Sequence, residues 1–211
     1  MIYELRTYTL RPGMQPVVAK NAGTVARDIR GDDYGKLEGY WLTEHGALNQ
    51  VMHLWSFASY DERQRLRAEL GRNERWVNEY LPLILPHLVR QDIRLMEAVL
   101  PLKRPAGDGH VYEYRNYRTF PGKARTWAKH FADIMPVRET YSENVCAWVT
   151  DSGQPNEVSH LWAYSSLDER LEIRAKVAAD PKWQGFLKTA GSMLEDMHST
   201  VMLPAAHSPM Q

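Results

Sequence analysis

Two histidines carry the clearest chemical potential in this sequence. His53 lies in residues 49–63, NQVMHLWSFASYDER, and His160 in residues 156–170, NEVSHLWAYSSLDER; the two windows are identical at nine of fifteen positions. Imidazole changes charge near neutral pH, so either residue can serve as acid, base or ligand. Within each window Asn49, Val51, His53, Trp55 and Phe57 share one parity, as do Asn156, Val158, His160, Trp162 and Tyr164. On a strand that parity is one face. If the face lines a cavity, a carboxamide, an imidazole and an indole N–H converge there. If it does not, each histidine is a hydrogen-bonded interior residue that fixes strand packing.

A second pair of windows adds charge. Residues 3–13, YELRTYTLRPG, match residues 112–122, YEYRNYRTFPG, at six of eleven positions. Glu4 and Arg6, like Glu113 and Arg115, stand two apart on a strand and point the same way. Each Arg can hold a substrate carboxylate through two parallel hydrogen bonds, or the Glu–Arg sets can be structural ion pairs. Arg63 with Arg67, and Arg170 with Arg174, place like charges four apart on a helix. That spacing is mildly unfavourable unless an anion or a carboxylate from another element faces it. Trp55, Trp76, Trp162 and Trp183 read as core or interface anchors. No H-x-H, H-E-x-x-H or C-x-x-C occurs to signal a metal, and no G-x-G-x-x-G, Walker A or G-x-S-x-G to signal a nucleotide or a serine nucleophile. No motif assigns a cofactor.

The elements that position these residues follow from periodicity. In each 15-residue window the alternation gives way to S-x-x-E, Ser59 with Glu62 and Ser166 with Glu169, so a capped helix should follow the strand. The order in the first copy is a strand over 2–10, a turn at Pro12-Gly13, a helix over 14–29, strands at 37–43 and from 49, the capped helix broken near Gly71, a second helical piece with Trp76 and Tyr80, and a strand at 93–100. The second copy repeats this with strands at 111–119, 145–150, from 156 and at 200–203, and a helix over 123–138 that Pro136 should shorten. The copies are offset by 109 residues at the first motif and 107 at the second. A period of that size is a small domain, not a solenoid unit. The chain divides into a first repeat, 1–101, a Pro- and Gly-rich linker, 102–110, a second repeat, 111–204, and a tail, 205–211, that reads as frayed. Each repeat is βαββαβ, the ferredoxin-like arrangement. Two such sheets can cover each other's bare faces, giving an α+β pseudo-dimeric barrel whose interior is lined by alternate strand residues.

Taken together, Y-E-x-R-x-Y with P-G, then N-x-V-x-H-L-W, then S-x-D-E-R, resemble the NIPSNAP family. The matching residues are Tyr3, Glu4, Arg6, Tyr8, Pro12, Gly13, Asn49, Val51, His53, Leu54, Trp55, Ser59, Asp61, Glu62 and Arg63, with their counterparts from Tyr112 to Arg170. The resemblance covers both repeats and implies the dimeric α+β barrel superfamily. Related barrels host cofactor-free oxygenation, haem chemistry and isomerisation, an analogy of fold and not of site. Eukaryotic members are known as mitochondrial proteins that engage partners in quality control; this sequence reads as a cytosolic member.

Composition narrows the classes. The 211 residues hold 26 basic and 26 acidic side chains. A net charge of zero argues against a nucleic-acid partner. No run of 18 apolar residues spans a membrane. The single cysteine, Cys146, fits a reducing, cytoplasmic setting and reads as a small buried hydrophobe. Seven tryptophans suggest a homodimer. Two functions follow. One is a small-molecule binder or enzyme using a barrel cavity lined by Glu4, Arg6, Asn49, His53 and Trp55 and by Glu113, Arg115, Asn156, His160 and Trp162. The other is a non-enzymatic interaction protein whose repeated motifs are structural.

Overall fold

A computed structural model describes residues 1–211. The fold is α+β: eight strands in the order β1-β3-β2-β8-β5-β7-β6-β4 form a closed antiparallel barrel. The strands are β1 (Ile2–Leu10), β2 (Lys36–His45), β3 (Gln50–Phe57) and β4 (Leu88–Leu100) in the first repeat, and β5 (Val111–Thr119), β6 (Asn144–Ser152), β7 (Glu157–Tyr164) and β8 (Leu194–Pro204) in the second. Within each repeat the order is that of a ferredoxin-like sheet. β4 begins five residues and β8 six residues earlier than alternation suggests, because polar residues such as Arg90 and Asp196 still belong to the ladder through their backbone while their side chains stay in solvent.

The chain forms two compact units, Met1–Leu95 with Leu203–Gln211, and Met96–Met202. Within the second unit the Met96 sulfur accepts a hydrogen bond from Ser159 Oγ. The tail read as frayed is instead packed on the first unit. Ala205 N donates to Tyr40 O, Tyr40 N donates to Ser208 Oγ, and Met210 is buried.

In the first unit, helix α1 (Gln15–Asn21) runs through a π-helical turn (Ala22–Ala26) into α2 (Arg27–Arg30). Its counterpart, α5 (Ala124–Arg138), is α-helical throughout and passes over Pro136 without stopping. α3 (Tyr60–Arg72) and α6 (Leu167–Ala179) start at Ser59 and Ser166, whose hydroxyls accept from the backbone N–H of Glu62 and Glu169. The reciprocal bond of the box is displaced by one residue: the two glutamates accept from Ala58 N and Ser165 N. A second helical piece follows each. In the first unit it is a π turn (Trp76–Tyr80), α4 (Leu81–Ile84) and a 3-10 turn (Leu85–His87); in the second it is the continuous α7 (Pro181–Gly191). Asn73 and Asp180 cap these pieces through side-chain oxygens.

The two π turns explain part of the offset between repeats. Arg30 follows Gly13 by seventeen positions and Arg138 follows Gly122 by sixteen; His87 follows Trp76 by eleven and Met193 follows Trp183 by ten. Each extra residue falls in a stretch containing a π turn, which absorbs one residue without breaking the helix.

The helices cover the sheet face that carries the histidines. Val51, Tyr8 and Tyr40 pack with Val18, Ala22, Tyr80 and Ile84; Val158, Trp162 and Tyr164 pack with Trp127, Phe131 and Val177. The apolar stripe of each helix pair needs an apolar partner, and this is the face that supplies it. Leu54, Ser56, Ser159 and Leu161 have the opposite parity. The face expected to line a barrel interior is therefore the helix-covered one.

Candidate functional site

Each unit holds a cavity between its sheet and its helices. In the first it is about 260 Å³ and is lined by Arg6, Tyr8, Tyr40, His53, Trp55 and Arg67 among others. In the second it is about 280 Å³, with Arg115, Tyr117, His160, Trp162, Tyr164 and Arg174 on its wall. The strand register builds both in the same way. On β1 and β3, Glu4 stands opposite Trp55, Arg6 opposite His53 and Tyr8 opposite Val51. On β5 and β7, Glu113 stands opposite Trp162, Arg115 opposite His160 and Tyr117 opposite Val158.

The histidines are buried, 6 % exposed at His53 and 4 % at His160. Their partner is not Glu or Arg from the first strand. Trp55 Nε1 donates to His53 Nδ1 at 2.6 Å, and Trp162 Nε1 donates to His160 Nδ1 at 2.5 Å. An indole can only donate, so Nδ1 carries no proton and the neutral ring holds its proton on Nε2. Burial, and after it the cationic field of the neighbouring arginines, holds both imidazoles well below their ordinary pKa. Each ring is thus a neutral N–H donor at physiological pH. Tyr8 and Tyr117 meet the rings edge-on at 4.8 and 5.1 Å. His160 Nε2 is buried and has no protein partner, and Trp127 Nε1 is in the same condition.

The glutamates anchor the arginines. Glu4 binds Arg6 at 3.4 Å and also Arg63; Glu113 binds Arg115 at 3.1 Å, Arg170 at 2.7 Å and Ser199 Oγ at 2.6 Å. Burial alone raises the Glu113 pKa, but Arg170, Arg115 and Ser199 outweigh it and hold the carboxyl below the usual range. These carboxylates are what the like-charge helix pairs face. Neither glutamate lines a cavity, whereas Arg67 and Arg174 do. Asn49 and Asn156 also lie outside. They precede β3 and β7 in the left-handed region, φ 55° and 59°, and their Oδ1 atoms accept from Gly13 N and Gly122 N. They tie the P-G turn to the strand start, and this corrects their expected place on the cavity wall.

Of the ten candidates, Arg6, His53, Trp55, Arg115, His160 and Trp162 line cavities. Sequence reasoning missed Arg30 and Arg138, which lie over Trp55 and Trp162 at 3.5 and 4.0 Å and whose offset of 108 hides them between the two motif registers. It also missed Trp127 and Phe131, whose counterparts are Val18 and Ala22, and His207 in the tail. Trp76 and Trp183 line the cavities instead of presenting an outer face, and no tryptophan is among the exposed large hydrophobic residues, so the tryptophans lend no support to a homodimer. Cys146 is fully buried and its thiol donates to Leu100 O. No three His, Cys, Asp or Glu side chains converge as a metal ligand set. No helix is long and apolar enough to cross a membrane.

A family model described as NIPSNAP matches residues 3–100 and 112–209. The chain is 26% identical over 216 residues to Protein NipSnap homolog 1 of Danio rerio, covering 100% of this chain and 77% of that protein. It is 28% identical over 218 residues to human Protein NipSnap homolog 3B, covering 99% and 85%. Among solved structures it resembles a monooxygenase-like protein from Lactobacillus acidophilus NCFM, with TM-score 0.69, 10% identity and coverage of 97% and 94%. It also resembles an anthrone oxidase-like protein, with TM-score 0.67, 9% identity and coverage of 97% and 93%. At such identity these two likenesses concern the fold alone.

Proposed function

The chain belongs to the NIPSNAP family, and from that premise we propose that it is a small-molecule-binding protein whose second unit takes a planar aromatic ligand bearing a carbonyl oxygen. The observation that carries this reading is His160 Nε2, a buried N–H donor without a partner on the wall of an aromatic cavity. A buried donor left unpaired costs free energy, and a ligand acceptor recovers it. Trp127 Nε1 offers a second donor at the same wall. Trp127, Phe131, Trp162, Trp183 and Phe186 supply faces and edges for a flat ring system. The arginines of this cavity are already engaged: Arg115 by Glu113 and Tyr117, Arg138 by Ser142 and the Trp162 face, Arg174 by Glu113. The fully buried donors without a partner are the neutral ones, which suits a ketone or quinone better than a carboxylate.

The neutral imidazole sets the chemistry such a site can do. With its proton on Nε2 it cannot accept a proton there; it can polarise a ligand carbonyl and stabilise negative charge that builds on its oxygen. A second reading is oxidation of such a ligand by oxygen, favoured by that capacity and by analogy with the anthrone oxidase-like neighbour. The test is titration with 2-acetonaphthone, followed by tryptophan quenching. The expected result is saturable binding by the wild type and its loss in His160→Phe with the fold intact. Equal binding by the variant would overturn the reading and favour an interaction role for the family motifs. Oxygen uptake with anthrone tests the second reading.

The same reading places the protein in the cytoplasm, supported by the single buried thiol of Cys146. It includes association of two copies, supported by the exposed Leu167 and Leu171, four apart on α6. A mass of one chain by light scattering at micromolar concentration would contradict that association.

A further inference from the structure

The two cavities share a plan but differ in the donors they leave free. In the second unit the buried polar atoms without partners on the cavity wall are His160 Nε2 and Trp127 Nε1, both neutral. In the first unit they are Arg6 Nε, Arg30 Nε and His207 Nε2, and Arg67 lies on the same wall without a salt bridge. Glu4 is shared by Arg6 and Arg63, so Arg30, which donates one N–H to Tyr34 O and lies on the Trp55 face but keeps its Nε unpartnered, has no carboxylate of its own, and neither has Arg67. Burial, and after it the neighbouring Arg67, lowers the Arg30 pKa to about 9.

Three substitutions between the repeats make this wall. Val18 and Ala22 stand where the second unit has Trp127 and Phe131. Tyr40 stands opposite His53 where Ala147 stands opposite His160. Phe131 stacks on His160 at 4.7 Å, whereas Tyr40 stacks on His53 at 5.2 Å. With the helix aromatics cut back, the C-terminal segment reaches the cavity. The His207 ring meets Tyr40 at 4.6 Å and rests on Gly23, where a Cβ would lie 2.5 Å from Nδ1. Gly23 is in the first π turn, and Ala22, Ala26, Trp76 and Tyr80 on the cavity wall come from the two π turns. Single-turn π insertions recur at functional sites. No residue of the linker or the tail lines the second cavity.

We infer that the first-unit cavity is a separate site for a small organic carboxylate, held by Arg6, Arg30 and Arg67 with His207 as a further donor. Guanidinium groups suit the planar two-oxygen geometry of a carboxylate. Tyr8, Tyr40 and Trp76 provide the walls for an apolar or aromatic body. The assignment goes beyond the carbonyl site of the second unit and does not depend on it. The C-terminal segment is part of this site.

The test is calorimetric titration of the full chain with 2-naphthoate and, separately, with neutral 2-acetonaphthone. Variants are Arg67→Met, on a helix surface, His207→Ala, and His160→Phe. The expected result is one naphthoate site per chain, weakened by about tenfold or more in Arg67→Met and to a lesser degree in His207→Ala, and unchanged in His160→Phe. Naphthoate binding that survives Arg67→Met unchanged, or that is lost in His160→Phe, would overturn the assignment. Acetonaphthone binding without any naphthoate binding overturns it and leaves the carbonyl site standing; naphthoate binding alone sinks the carbonyl site only; binding of neither overturns both. Inorganic phosphate competing as strongly as naphthoate would overturn the carboxylate class.

Discussion

Trp162 and His160, two residues apart on β7, are joined by an indole-to-imidazole hydrogen bond of 2.5 Å that decides which ring nitrogen of the histidine carries the proton. The same bond joins Trp55 to His53 at 2.6 Å. Residues i and i+2 share a strand face, so the bond needs no help from another element. It turns the H-L-W pattern that both repeats share into a device for presenting an N–H.

The first prediction concerns that proton. Long-range ¹H–¹⁵N spectra should show His53 and His160 as the Nε2–H tautomer at pH 7. Trp162→Phe removes the donor to Nδ1 and should release His160 alone to a tautomer mixture. Spectra in which His160 is protonated on Nδ1 in the wild type would contradict the geometry.

The second concerns pH. Burial lowers the folded-state pKa of His53 and His160 below the unfolded value, and that of His207 to about 4. The unfolded chain therefore binds more protons once pH falls below the unfolded value of 6.5. Stability should be full above that point and decline as pH falls through the window below it. Each buried histidine contributes a slope of about 1.4 kcal/mol per pH unit while the difference lasts. Urea midpoints at pH 7, 6 and 5 measure it. His53→Phe should flatten the decline, and an equal slope in the variant would show that other groups cause it.

The third concerns the helix starts. Ser59→Ala and Ser166→Ala each remove the acceptor for the N–H of Glu62 or Glu169. Each should cost about 1 kcal/mol. The sites lie in different units, so the losses in the double variant should add. Unchanged denaturation midpoints in both single variants would mean that the caps contribute nothing.

The fourth concerns the turn asparagines. Asn49 and Asn156 hold φ of 55° and 59°, a region that costs most L-residues about 1–2 kcal/mol. Asn156→Ala should destabilise by that amount plus the lost bond from Gly122 N, and Asn156→Gly by less. Ligand affinity should be unchanged in both, because the residue lies outside the cavity. A glycine variant less stable than the alanine variant would refute the backbone explanation.

The sequence alone determined the duplication, the βαββαβ order of each repeat, the capped helices and the burial of both histidines. These rest on local rules: period-2 and helical patterns, S-x-x-E, and P-G turns act within about fifteen residues. It also placed Glu4, Arg6, His53 and Trp55 on one face, which the register confirms. Only the tertiary structure decided which side of the sheet that face looks toward. Alternation separates two faces but does not say which one the helices cover. It likewise decided that Glu4 and Glu113 bind Arg63 and Arg170, more than fifty residues away in sequence, and that Asn49 serves a turn. The difference between the cavities was hidden for a related reason. It arises from two π turns, from side-chain volumes at Val18, Ala22 and Tyr40, and from a tail that docks because those volumes let it; each is a consequence of packing between segments far apart in the chain.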